Sequence, residues 1–188
     1  MRTRLCLALL LMSSLLGACS VTRQRTLEGR VFDVPKANDI TDSDAPFFLP
    51  KLDPNDGFSF YLNPGARLPE LNLVSVASKR RMCERAAGTE AFINATVCAV
   101  HPPSWRNRQL KKVSDGIFST YDLPAEAGKK PPALASCISM GGGSRPDLCT
   151  ANMLFGNLVL TIHFRENQIG SLASLHDQAT DNLLRWER

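Results

Sequence analysis

NLVLTIHFRENQIGSLASLHDQATDNLLRWER, residues 157–188, carries two hydrophobic periods in succession. From Asn157 to Phe164 apolar residues alternate, so Leu158, Leu160, Ile162 and Phe164 share one face, as a half-buried strand requires. Arg165-Glu166-Asn167 reads as a turn. Ile169, Leu172, Leu175, Ala179, Leu183 and Trp186 then recur at spacings of three or four, the stripe of an amphipathic helix. A strand that delivers into an amphipathic helix must bury both faces against one another. The fold class predicted is therefore α+β, an antiparallel sheet with a C-terminal amphipathic helix.

Upstream the signals are shorter. Arg30–Pro35 reads as a strand stopped by proline. In Gly57–Leu62, Phe58, Phe60 and Leu62 share a face before the turn at Asn63-Pro64-Gly65. Leu71–Val76 is a further strand. Ser78 caps a short helix that runs to about Ala87 and ends at Gly88. Phe92–Val100 reads as a strand carrying Cys98, and Ile117–Tyr121 as a short strand. Residues 36–56, rich in Asp, Asn and Pro around Phe47-Phe48-Leu49, form a loop. The Pro-rich stretch 101–132 gives weaker signals, and Gly141–Pro146 is a flexible loop between Cys137 and Cys149. There is no internal repeat.

The other end of the chain decides location. Two arginines within Met1–Arg4 precede an apolar run, Leu5–Leu16, broken only by Ser13 and Ser14. A spanning helix needs about 20 apolar residues, so this run reads as a secretory signal. Leu16-Gly17-Ala18-Cys19 resembles a bacterial lipobox. That resemblance implies cleavage before Cys19, a diacylglycerol on its sulfur and an acyl chain such as palmitate on the new amino group. Ser20, rather than Asp, resembles the outer-membrane pattern. The expected division is residues 1–18 signal peptide, 19–27 lipidated tether and 28–188 a single globular domain. The stretch from Ser20 to Leu27, polar and short, would reach at most ~28 Å.

Cys6 leaves with the signal and Cys19 takes lipid, which leaves Cys83, Cys98, Cys137 and Cys149, an even number for an oxidising compartment. Four cysteines allow three pairings; the sequence-local one, Cys83 with Cys98 and Cys137 with Cys149, is preferred. No C-x-x-C spacing is present and no metal is expected. Loss of Arg2 and Arg4 with the signal lowers Lys+Arg from 22 to 20 against 18 acidic residues, a net charge of +2. Nucleic acid is therefore not indicated. The basic clusters Lys79-Arg80-Arg81 and Arg106, Arg108, Lys111, Lys112 read first as solvated faces, and second as contacts for anionic lipid or an acidic partner.

Catalytic chemistry is not evident. His101, His163 and His176 form no H-x-x-x-H or H-E-x-x-H, and each reads as a satisfied or surface residue. Cys137-Ile138-Ser139-Met140-Gly141 lacks the first glycine of a nucleophile elbow, and the glycines after it argue against the helix such an elbow needs. Gly141-Gly142-Gly143-Ser144 lacks the P-loop pattern. No catalytic residue, small-molecule substrate or cofactor is expected.

The stretches GRVFDVPKANDI, DGFSFYLNP and SLASLHDQATDNLLRWER, with the lipobox and the cysteine-bearing strands, resemble periplasmic immunity lipoproteins encoded beside type VI secretion effectors, especially those guarding against phospholipase toxins. The resemblance implies a lipid-anchored protein on the periplasmic face of the outer membrane that binds and neutralises a secreted toxin. Candidate contacts are Phe47 and Phe48 in the 36–56 loop, and Trp105 with Arg106 and Arg108, since Trp and Arg are common interface anchors. The bland alternative for both is packing under a loop. Other readings are an envelope structural or assembly lipoprotein supporting an outer-membrane complex, with an envelope protein as partner, and a ligand-binding lipoprotein.

Overall fold

The computed structural model describes residues 21–41, 56–67, 70–89, 91–125, 127–139 and 147–188. Nine strands, β1 (Thr22–Leu27), β2 (Arg30–Pro35), β3 (Gly57–Tyr61), β4 (Leu73–Ser78), β5 (Lys111–Asp115), β6 (Phe118–Asp122), β7 (Ala133–Ile138), β8 (Leu148–Phe155) and β9 (Leu158–Arg165), appear among the described residues. Among the described residues three helices join them: α1 (Lys79–Ala86), α2 (Phe92–Thr96) and α3 (Leu172–Trp186). The strands form a two-stranded ribbon, β1-β2, and a seven-stranded antiparallel sheet in the order β3-β4-β9-β8-β7-β6-β5. The α+β class with an antiparallel sheet, a C-terminal helix and two disulfides is observed.

The strand β9 lies inside that sheet, and the alternation read in its sequence is its burial pattern. Leu158, Leu160, Ile162 and Phe164 are fully buried, and the register extends them across the sheet through Val76 and Val74 on β4 and through Met153, Ala151 and Cys149 on β8. The stripe of α3 closes over this face: Leu172, Leu175, Ala179, Leu183 and Trp186 are buried. Each of the three leucines contributes about 1.5–3 kcal/mol by leaving water. Trp186 meets Phe60 edge-on at 4.9 Å, and Phe32 of the ribbon meets Phe58 at 5.6 Å, so one core joins ribbon, sheet and helix. The end of the chain is tied down as well: Arg30 holds Glu187 through two hydrogen bonds of 2.7 and 2.6 Å.

Four expectations are corrected. Residues 22–27, read as tether, are β1, paired with β2 from Thr22↔Pro35 to Leu27↔Arg30. Only Leu27 of that strand is buried, so it has no hydrophobic signature. Ladder bonds hold it instead, together with Arg23 and Arg25, which clamp Asp39 at 3.0 and 2.8 Å. The Glu28-Gly29 turn has φ of 50° and 76°, the left-handed pair that a two-residue hairpin demands. Residues 92–100, read as a strand, begin instead with helix α2. The Cys83–Cys98 bond is the physical reason: a helical rise of about 1.5 Å per residue brings Cys98 back to α1, where a strand at about 3.3 Å per residue would carry it away. The expected turn at 165–167 is the end of β9 followed by a 3-10 helix, Glu166–Ser171, whose Gln168 Oε1 accepts from the Arg165 amide at 2.9 Å. Finally, the strand expected at 71–76 begins and ends two residues later.

The short helix from Ser78 forms as expected. The Ser78 hydroxyl accepts from the Arg81 amide at 3.2 Å, and Gly88 has φ +77° just past its end. Both disulfides take the sequence-local pairing. Cys83–Cys98 ties α1 to the chain after α2, and Cys137–Cys149 joins directly opposed residues of β7 and β8.

Candidate functional site

The strands β7 and β8 pair only from Ala135↔Ala151 to Ile138↔Leu148, so Asn152–Phe155 of β8 extends past β7. The chain that leaves α2 enters beside this extension. Pro102 and Pro103 deny it a ladder of its own, because proline has no N–H to donate. Trp105 follows, half-buried and packed on the main core. Its ring meets the His176 imidazole of α3 edge-on, at 5.5 Å and 82°.

His176 is held from both sides. Nε2 lies 3.2 Å from the Leu154 carbonyl, which can only accept, so the proton sits on Nε2. Nδ1 then accepts from the Arg106 guanidinium at 3.0 Å. Burial, aided by the Arg106 charge, holds the imidazole below its ordinary pKa and keeps it neutral. Arg106 also pairs with Asp177, including a 3.1 Å bond to Oδ2, and stacks over Trp105 at 5.0 Å. That pair holds the Asp177 carboxyl below the usual carboxylate range. An exposed pair of this kind contributes little stability. What it does is orient: the guanidinium is locked over the indole, and both face solvent in one geometry.

Trp105 thereby forms a ridge between two depressions. One, of about 250 Å³, is lined by Thr96, Pro102, Pro103, Leu134, Met153 and Leu154 among others. The second, of about 380 Å³, runs between Arg108, Leu110 and Tyr121 on one side and Ile169, Leu172 and Ala173 on the other. Asn107, with φ +59°, makes the tight bend that sets Arg108 on the rim, where its amide donates to the Trp105 carbonyl at 3.2 Å. Beyond Tyr121 the floor is polar. Glu166 accepts from the Tyr121 hydroxyl at 2.8 Å and from Lys112 at 2.5 Å. The Lys112 contact, then Tyr121, lowers the Glu166 pKa; burial first, then Glu166, pushes the tyrosine up to about 12.

No protein-family model matches the chain, and neither does any curated protein. Among solved structures it is similar to an immunity protein of the Stenotrophomonas maltophilia type IV secretion system. The identity is 9%, the TM-score 0.48, and the alignment covers 90% of this chain and 94% of that one.

Of the residues singled out in the sequence, Trp105, Arg106 and Arg108 are brought together, while Cys19, Phe47 and Phe48 lie outside the described residues. His176 and Asp177 were not foreseen as part of the site. No spacing links residue 106 to 176, and only the packing of α3 against the sheet makes them neighbours. Ser139 stands exposed at the end of β7, its amide bonded to the Ile117 carbonyl at 2.8 Å. His163 lies within β9 and His101 is exposed. Among the described residues no group of three or more His, Cys, Asp or Glu is placed to hold a metal, and no helix is long and apolar enough to cross a membrane.

Proposed function

We propose that this protein is a lipoprotein, anchored through Cys19 to the periplasmic face of the outer membrane, that binds and neutralises a secreted antibacterial toxin. It acts stoichiometrically and not as an enzyme. The finer assignment, a type VI effector and specifically a phospholipase, follows the sequence resemblance. The observation that carries the reading is the locked Trp105–Arg106 ridge between two grooves. An inhibitor of a toxin gains affinity from an anchor that is already ordered before contact, because little side-chain entropy is then lost on binding. Trp and Arg are the residues that most often supply such anchors. The two disulfides keep the frame intact in an oxidising compartment.

The test is co-purification of the soluble form starting at Ser20 with the products of adjacent genes, followed by titration of the partner found. Trp105→Ala and Arg108→Ala should each weaken binding by about 2 kcal/mol or more, roughly 30-fold. Deletion of the gene should make cells sensitive to toxin-bearing siblings. Survival of the deletion strain in contact with such kin would sink the proposal.

A further inference from the structure

The two edges of the seven-stranded sheet differ. At β3 the edge is covered: the Ile40 amide donates to the Ser59 carbonyl at 3.2 Å and the Tyr61 amide to Asn38 at 2.7 Å. At the other end, among the described residues β5 pairs only with β6, and all five of its residues are exposed. An open edge presents unpaired N–H and C=O groups to any extended chain, and lysines normally guard it by their charge. Here Lys112 is already engaged by Glu166 at 2.5 Å. Lys111 and Asp115, at the two ends of the strand, have no ion pair among the described residues.

The sequence of this edge, Lys111-Lys112-Val113-Ser114-Asp115, complements itself. A two-fold axis through Val113, perpendicular to the sheet, sets Lys111 opposite Asp115 of a second copy, and does so twice. Val113 then meets Val113, and each Lys112 meets a Ser114. Slipping the register by two residues loses both charge pairs and, in one direction, sets Lys112 against Lys112. The charged pairs and Val113 lie on the face that also carries Phe118 and Ile138, which are opposed in the β6–β7 register and remain exposed. We infer that β5 is a self-pairing edge, through which two copies of this chain join their sheets into one. Such an isologous contact is the arrangement that two-fold dimers use. It is also small, five residues from each copy, so the dimer is a weak one that forms at high protein concentration.

Sedimentation of the form starting at Ser20, which retains every described element, tests this between about 20 µM and 1 mM. The wild type should pass from monomer to dimer across that range. Lys111→Asp and Asp115→Lys each set like charges opposite one another at both ends, and each should weaken self-association at least about tenfold. Mixed in equal amounts, the two variants restore both opposite-charge pairs and should dimerise as the wild type does. Both positions are exposed, so the fold should be retained, with an unchanged thermal midpoint as the check. A wild type that stays monomeric throughout, single variants that dimerise undiminished, or a mixture that fails to recover would each overturn the inference.

Discussion

Acid should destabilise this protein through His163. His163 stands on β9 between Leu73 of β4 and Thr150 of β8. Burial pushes its pKa from 6.5 down to about 4. In the unfolded chain the ring takes up a proton as pH falls through 6.5, while the folded ring stays neutral to about 4. The unfolded state therefore gains the proton first. The stabilising contribution is complete above pH 6.5, is lost between 6.5 and 4, and changes no further below that. The full shift corresponds to about 3 kcal/mol. Because the ring is half-buried and keeps some hydration, a loss of about 2 kcal/mol is expected by pH 4. Urea unfolding followed by the fluorescence of Trp105 and Trp186 at pH 7.5 and 4.5 measures it. His176, also lowered by burial, adds a loss of the same sign. The informative quantity is thus the difference between the wild type and His163→Gln. The wild type should lose about 1.5–2 kcal/mol more than the variant between the two pH values. Equal losses in both would refute the reasoning, because the proton uptake would then belong to other groups.

Two further outcomes are expected from the packing. Leu183→Ala removes a fully buried side chain from α3 and should cost about 2–5 kcal/mol, whereas Leu184→Ala, one residue along and 59% exposed, should change stability by less than ~0.5 kcal/mol. Urea midpoints with an unchanged slope would establish both. Replacing Cys83 and Cys98 together by serine opens a link of sequence separation 15 and should cost about 3 kcal/mol, read as a fall in thermal midpoint that reducing agent does not deepen through that bond.

The terminal strand and helix were legible because each carries its period over several repeats. The stripe Leu172, Leu175, Ala179, Leu183, Trp186 can face only one way, and it does. The capped helix α1 was legible for a local reason, a serine hydroxyl three residues from the amide it satisfies. Strands β1, β5, β7 and β8 were not identified. The first two are polar and held mainly by their ladders. In β8 buried residues fall on both faces, so Cys149, Ala151, Asn152 and Met153 show no alternation. The two-residue turn at Gly156-Asn157, with φ +60° at the glycine, was the one signal for the β8–β9 hairpin that could have been used.

For the candidate site, sequence supplied the residue types at 105, 106 and 108, and composition alone marks a Trp flanked by Arg as an anchor. Whether that Trp would be core or surface depended on what it packed against. That is settled by His176 and Asp177, seventy positions away, and by a carbonyl on β8 left free where β7 ends. Local periodicity and capping act over a few residues and can be read along the chain. The position of a strand edge, the partner of a guanidinium and the protonated nitrogen of an imidazole depend on groups that only the folded sheet and helix bring within 3–4 Å of one another.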